Sequence, residues 1–75
     1  MRMSTAHKLL ADALGSIVLI KLRSGVVRGK LRTFDMHLNI VLEDAEEVKE
    51  NGSKPLGKIL IRGDSVVFVS PVLNG

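Results

Sequence analysis

Two short stretches of this 75-residue chain place groups that could do chemistry close together. Asp35, His37 and Asn39 alternate within Asp35-Met-His-Leu-Asn39, and Arg62-Gly63-Asp64 follows the apolar Ile59-Leu-Ile61. An imidazole and a guanidinium are flat and able to stack on a base, while a primary amide carries the donor and the acceptor needed to test a base edge. That combination suits the reading of an unstacked RNA base. Carboxylates repel phosphate, so Asp35 and Asp64 are expected to position Asn39, Arg62 or nearby backbone rather than to touch RNA directly. The candidate RNA-binding site comprises His37, Asn39, Arg62, Gly63 and Asp64, with Asp35 in support. Each has a plainer alternative. His37 could be a turn histidine, Asn39 a turn amide, Arg62 a rim salt bridge to Asp64 or Asp35, and Gly63 a requirement of backbone geometry.

Catalysis is poorly served by the same residues. There is no Ser/His/Asp or Cys/His arrangement and no phosphate loop, and Asp35 with His37 is a thin basis for a nuclease. His7 and His37 are the only histidines and share no ligand spacing, so neither a metal nor another cofactor is expected. Phe34 and Phe68 read as core. With no Trp or Tyr, a sheet-surface aromatic reader such as an RRM or cold-shock domain is disfavoured.

The elements that must position these groups are short. Residues 4–14 read as a helix with Ser4 or Thr5 as N-cap, Leu9, Leu10, Ala13 and Leu14 as its apolar stripe, and Gly15 as a left-handed stop. From Ile17 the pattern turns to strands. Residues 17–22 are apolar on both faces. In 26–34, Val27, Gly29 and Leu31 alternate with Arg28, Lys30 and Arg32, and Gly29 marks a sharp bend. A third strand with Leu38, Ile40 and Leu42 runs into the acidic stretch. Asn51-Gly52 is a hairpin signal, and 58–62 and 65–70 are two further strands joined by Gly63-Asp64. One helix and five strands with tight turns imply a mainly β fold: a small, strongly bent open barrel of SH3-like type.

Size and charge bound the assembly and the partners. A domain near this length buries only about 60% of its unfolded surface, so a lone core is marginal. Cysteine is absent, which removes disulfides as a remedy. Self-association is the remaining route. The last two strands, apolar on both faces, would be aggregation templates as free edges; pairing one copy's fourth strand with the next copy's fifth would close a head-to-tail ring. Net charge is +3, with basic residues dominating 1–34 and Glu43, Asp44, Glu46, Glu47 and Glu50 crowding 43–50. That division suggests one face for a polyanion and another that excludes it. No apolar run approaches the ~20 residues of a membrane helix. The start does not read as a secretory signal and residues 72–75 read as a stub, so a cytoplasmic protein without a membrane partner is expected.

The Asp35-x-His37-x-Asn39 cluster, a spacer, and then Ile61-Arg62-Gly63-Asp64 resemble the archaeal Sm-like (Lsm) family. Gly25, Gly29, Leu31, Phe34 and Leu42 stand at matching positions of a first Sm motif over about 22–46. A second motif spans about 56–71, within a single domain over 1–75. Met36 departs from the polar residue often found there. The resemblance implies a homo-oligomeric ring, commonly of seven subunits, with an RNA site repeated around the pore. It also implies that a uracil stacks between His37 and Arg62 while Asn39 bonds its edge. The function implied is binding of single-stranded, uridine-rich RNA as a chaperone or scaffold in RNA processing, possible partners including other RNA-processing proteins. His7, Lys8 and Arg2 are candidates for a second RNA-contacting face. Two alternatives lie outside that reading: a ring or small barrel that mainly binds proteins with only non-specific nucleic-acid affinity, and a DNA-binding or ribosome-associated small barrel. The second would share Arg28, Lys30 and Arg32 but would not explain the Asp-His-Asn cluster.

Overall fold

Ser4 starts the first element of the computed structural model, which describes residues 4–72. Its hydroxyl oxygen accepts from the His7 N–H at 3.1 Å, satisfying one of the donors that a helix N-terminus leaves unpaired. Helix α1 (Thr5–Asp12) is shorter than the 4–14 stretch expected, ending at Ala13 as C-cap. Gly15 follows in a left-handed conformation, φ 83°, and its N–H donates to Leu31 O at 2.8 Å. The stop is thus also a splice onto the sheet.

Five strands follow: β1 (Ile17–Leu22), β2 (Gly25–Phe34), β3 (Ile40–Lys49), β4 (Gly52–Ile61) and β5 (Val66–Pro71), with one 3-10 turn (Gly63–Ser65) before the last. All neighbours are antiparallel and the order is β4-β3-β2-β1-β5. This is the expected fold, a short helix followed by a bent, open five-stranded sheet. The alternation on β2 is as expected, with Val27, Gly29 and Leu31 buried and Arg28, Lys30 and Arg32 exposed. The bend centres on Gly29. A Cβ there would lie 3.0 Å from Ala45 Cα, so only glycine lets β3 come this close. Opposite it the register slips between Arg28 and Lys30, and Asp44 adopts φ 51°, the mark of a bulge that sharpens local twist. Val18, Ile20, Leu31, Ile40 and Leu42 fill the concave side at 1% exposure or less.

Four sequence expectations change. β3 begins at Ile40, because Leu38 is in a left-handed conformation (φ 63°) outside the ladder. β4 begins at Gly52 rather than near Lys58. Residues 53–57 have little strand preference, yet the β3 ladder carries them, and Pro55 is tolerated opposite Glu46 because β4 is an edge. The hairpin turns over Glu50 and Asn51, leaving Gly52 at φ 119° next to Lys49, so the glycine closes the turn instead of lying at its centre. Phe34 packs against the core, but Phe68 is 51% exposed on edge strand β5.

The division of charge into separate faces is also overturned. The basic strand β2 lies beside the acidic strand β3, where Arg28 pairs with Glu46, and Arg32 with Glu43 at 3.4 Å. Such exposed pairs add little stability, typically about 0–1 kcal/mol. Their effect is to mute β2 as a polyanion surface. Among the described residues no helix is long and apolar enough to cross a membrane.

Candidate nucleic-acid interface

The final pair of the β3–β4 ladder is Ile40 opposite Ile61, both essentially buried. One residue outward along each strand stand Asn39 and Arg62. Two loops distant in sequence therefore meet where two apolar strands leave the core, and all six candidate residues belong to them.

The 35–39 loop is built by Asp35. A β-turn over Met36 and His37 is closed by the Leu38 N–H to Asp35 O (3.0 Å), and the Asp35 N–H donates to Asn39 O at 3.1 Å. Inside that frame the carboxylate takes three donors. Its Oδ1 accepts from the His37 N–H at 2.9 Å and the Asn39 N–H at 3.0 Å, and its Oδ2 from Asn39 Nδ2 at 3.0 Å. These bonds, the Asn39 side chain foremost and then the Asn39 and His37 backbone, hold the Asp35 pKa below its ordinary value. A depressed carboxylate stabilises the fold at pH values above its unfolded pKa, and that support is lost as pH falls through the lowered, folded value. The His37 and Asn39 amide resonances should therefore titrate with a midpoint below about 3.9, the value of a free aspartate. NMR titration reads this directly, and a midpoint at or above that value would mean the carboxylate does not hold the loop.

Asn39 joins the loops. Its Oδ1 accepts from the Gly63 N–H at 2.8 Å while its Nδ2 donates to Asp35. The amide orientation is thereby chemically determined, since a flip would set Nδ2 against an N–H and Oδ1 against a carboxylate. One N–H and one oxygen lone pair remain for a ligand. Gly63 has its own constraint: a Cβ would collide with the His37 carbonyl oxygen and come within 3.0 Å of Leu38 O. Backbone contact between the loops requires glycine there.

Arg62 and Asp64 form an exposed pair at 3.5 Å. The Arg62 carbonyl is held by the Ser65 N–H (3.0 Å) and hydroxyl (2.7 Å), which fixes the backbone but leaves the guanidinium outside, with 79% of its side chain exposed. The rim salt bridge and a stacking role are compatible. His37 is also exposed. The site thus offers an oriented amide in a rigid floor and two exposed planar groups on the loops that form it.

A contact the sequence did not reveal comes from the helix. His7 Nε2 lies 3.2 Å from Met36 O, and its imidazole sits 6.1 Å from the Phe34 ring centroid, tilted 51°. The Ser4-x-x-His7 cap spacing was its only trace. Of the suggested second RNA face, His7 is half-buried against the loop, Lys8 is exposed, and Arg2 lies outside the described residues.

Comparison with known proteins agrees with this geometry. The model of the LSM domain matches residues 8–71. An snRNP Sm-like protein of Aeropyrum pernix is 48% identical over 65 residues, covering 85% of this chain and 84% of its own. Among solved structures, the SmAP1 heptamer of P. aerophilum superposes with a TM-score of 0.89 at 42% identity, covering 97% of this chain and 100% of that one. The Pyrococcus abyssii Sm protein in complex with a uridine heptamer superposes with a TM-score of 0.82 at 39% identity, covering 93% and 100%.

Proposed function

This chain belongs to the LSM (Sm-like) family, and from that premise we propose that it forms a homo-oligomeric ring, of seven subunits, that binds single-stranded, uridine-rich RNA at its pore. Its role is that of an RNA chaperone or scaffold in the cytoplasm, a binding rather than a catalytic role, with other RNA-processing proteins as further partners. The observation that carries this reading is the Asn39 amide, clamped between Asp35 and the Gly63 N–H.

Uracil offers a carbonyl acceptor beside an N–H donor, which complements the N–H and lone pair that Asn39 has left. Cytosine offers an amino donor beside a ring-nitrogen acceptor. An amide free to rotate could serve either base. This one would lose two protein hydrogen bonds by turning, each worth roughly 0.5–1.5 kcal/mol net and more where an ionised group takes part. His37 and Arg62 supply the two stacking planes, worth about 1–3 kcal/mol per base. Gly63 and Asp64 complete the second loop, one by close backbone approach and the other by pairing with the guanidinium.

Ring formation is supported by the two free edges. β4 and β5 lie at opposite ends of the sheet order, and they expose Leu60 (67%), Val67 (57%) and Phe68 (51%). By similarity, the heptamer of P. aerophilum brings a seven-subunit assembly to this chain, and the uridine-heptamer complex of the Pyrococcus abyssii protein brings the binding of uridine RNA.

The test is fluorescence anisotropy of labelled oligo(U), oligo(A) and oligo(C) of equal length at one near-physiological salt. A clear preference for oligo(U) is expected. Equal, weak binding of all three would mean that the site reads no base, and the protein-binding scaffold would become the better reading.

A further inference from the structure

We propose that His7, on helix α1, is a positioning residue that holds the base-reading loop in its binding geometry without itself touching RNA. The inference rests on the uracil-reading site proposed for the 35–39 loop.

Within that loop nearly every polar backbone bond is internal. Asp35 and Asn39 bond each other, Leu38 closes on Asp35, and His37 is held by the Asp35 carboxylate. Two hydrogen bonds fasten this unit to the rest of the described protein. One is the Gly63 N–H to Asn39 Oδ1, at the floor of the site. The other is His7 Nε2 to Met36 O, at the turn's apex, next to His37. A carbonyl only accepts, so Nε2 carries the proton and donates. Nδ1 lies 2.5 Å from Ser4 Oγ, the same oxygen that caps the helix by accepting the His7 N–H. The imidazole lies beside the tilted ring of Phe34, the last residue of β2 before the loop. The imidazole is thus held at both nitrogens, with Phe34 beside it. Its position on the helix transmits the docking of α1, through buried Leu10, to the apex of the loop.

The consequence is specific to geometry. The Asp35 network can set the amide without help, but at the apex carrying His37 the bond to Met36 O is, among the described residues, the one hydrogen bond from outside the loop; Gly63 meets the His37 carbonyl by close packing alone. Loss of that anchor lets the stacking plane wander relative to the amide. Base selectivity then declines, while phosphate attraction, which needs no fixed plane, persists.

The experiment compares His7→Ala, His7→Gln and His7→Asn with the unaltered protein, measuring affinity for oligo(U) and oligo(A), hydrogen exchange at the Met36 to Leu38 amides, and thermal unfolding. Glutamine places its amide nitrogen near the Nε2 position and can still donate to Met36 O. Asparagine reaches only the Nδ1 position and keeps only the Ser4 side of the relay. Expected are an oligo(U) affinity about threefold to tenfold weaker for His7→Ala and His7→Asn, about the worth of one hydrogen bond, an unchanged oligo(A) affinity, faster loop exchange, and recovery in His7→Gln. Three results would overturn the inference: equal losses for oligo(U) and oligo(A), which mark a direct phosphate contact; no difference between glutamine and asparagine; or unchanged oligo(U) binding in all three variants. Failure of the uracil reading itself is recognised separately, because the unaltered protein would then show no oligo(U) preference to lose. Should His7→Ala unfold, the glutamine–asparagine comparison still decides.

Discussion

Replacing Asn39 with alanine is expected to abolish the preference for uridine while leaving the fold nearly intact. The fold is spared because Asp35 Oδ1 keeps its two backbone donors and the one freed oxygen, Oδ2, returns to water, leaving the half-buried Gly63 N–H as the main unsatisfied group, at a cost of about 1–3 kcal/mol. The binding loss is larger. Each uracil edge that met Asn39 now faces a methyl group, and its donor and acceptor go unpaired, at about 1 kcal/mol or more per base. The sites of one ring act on one strand, so these penalties accumulate along it. Oligo(U) affinity should fall on the order of 100-fold, whereas oligo(A), held mainly by phosphate attraction, should change little. Anisotropy titrations with both oligonucleotides, set beside a denaturant unfolding curve, check this. A parallel fall for U and A, or no fall for either, would remove the amide from base recognition.

The parts of this site that could be read from the sequence were those governed by local chemistry. Ser4 and Gly15 bracket the helix through capping and left-handed geometry, and the alternation from Val27 to Arg32 assigns the two faces of β2. The Asp35-x-His37-x-Asn39 spacing is also local: a carboxylate bonding amides two and four residues on is a turn device that spacing alone suggests. What could not be read depends on register between distant segments. That Asn39 meets Gly63 follows from pairing Ile40 with Ile61, and the pairing is a property of the whole bent sheet. The same holds for β4. Its Ser53 to Gly57 segment has no strand signature and is ordered by its partner strand. Charge misled for a related reason. Basic and acidic blocks separated along the chain became neighbours across the β2–β3 ladder, turning two apparent faces into one ion-paired surface. Phe68 was misplaced because a single chain leaves exposed what a head-to-tail ring would cover.

That covering leads to the expectation with the widest reach. Leu60→Glu on β4 or Phe68→Glu on β5, each at a position already exposed in the single chain, should leave the monomer's core intact and prevent ring closure. A carboxylate forced into an apolar strand-to-strand contact is desolvated without a partner, a cost of several kcal/mol. Either variant should sediment as a species of monomer size. Oligo(U) binding should fall by about 100-fold to 10,000-fold, because single sites lose the effective concentration that links them. Thermal stability should fall as well, since a domain this small depends on what its edges bury. The head-to-tail geometry gives a sharper signature. In a heterologous contact the two edges are different surfaces, so Leu60→Glu retains a sound β5 edge and Phe68→Glu a sound β4 edge. Mixing the two should produce a dimer, joined by one intact contact and unable to grow or close. A symmetric edge contact, β4 on β4, predicts instead that Phe68→Glu alone remains dimeric and that mixing adds nothing. Sedimentation of the two variants, alone and mixed, therefore distinguishes a closed head-to-tail ring from any assembly built on self-paired edges.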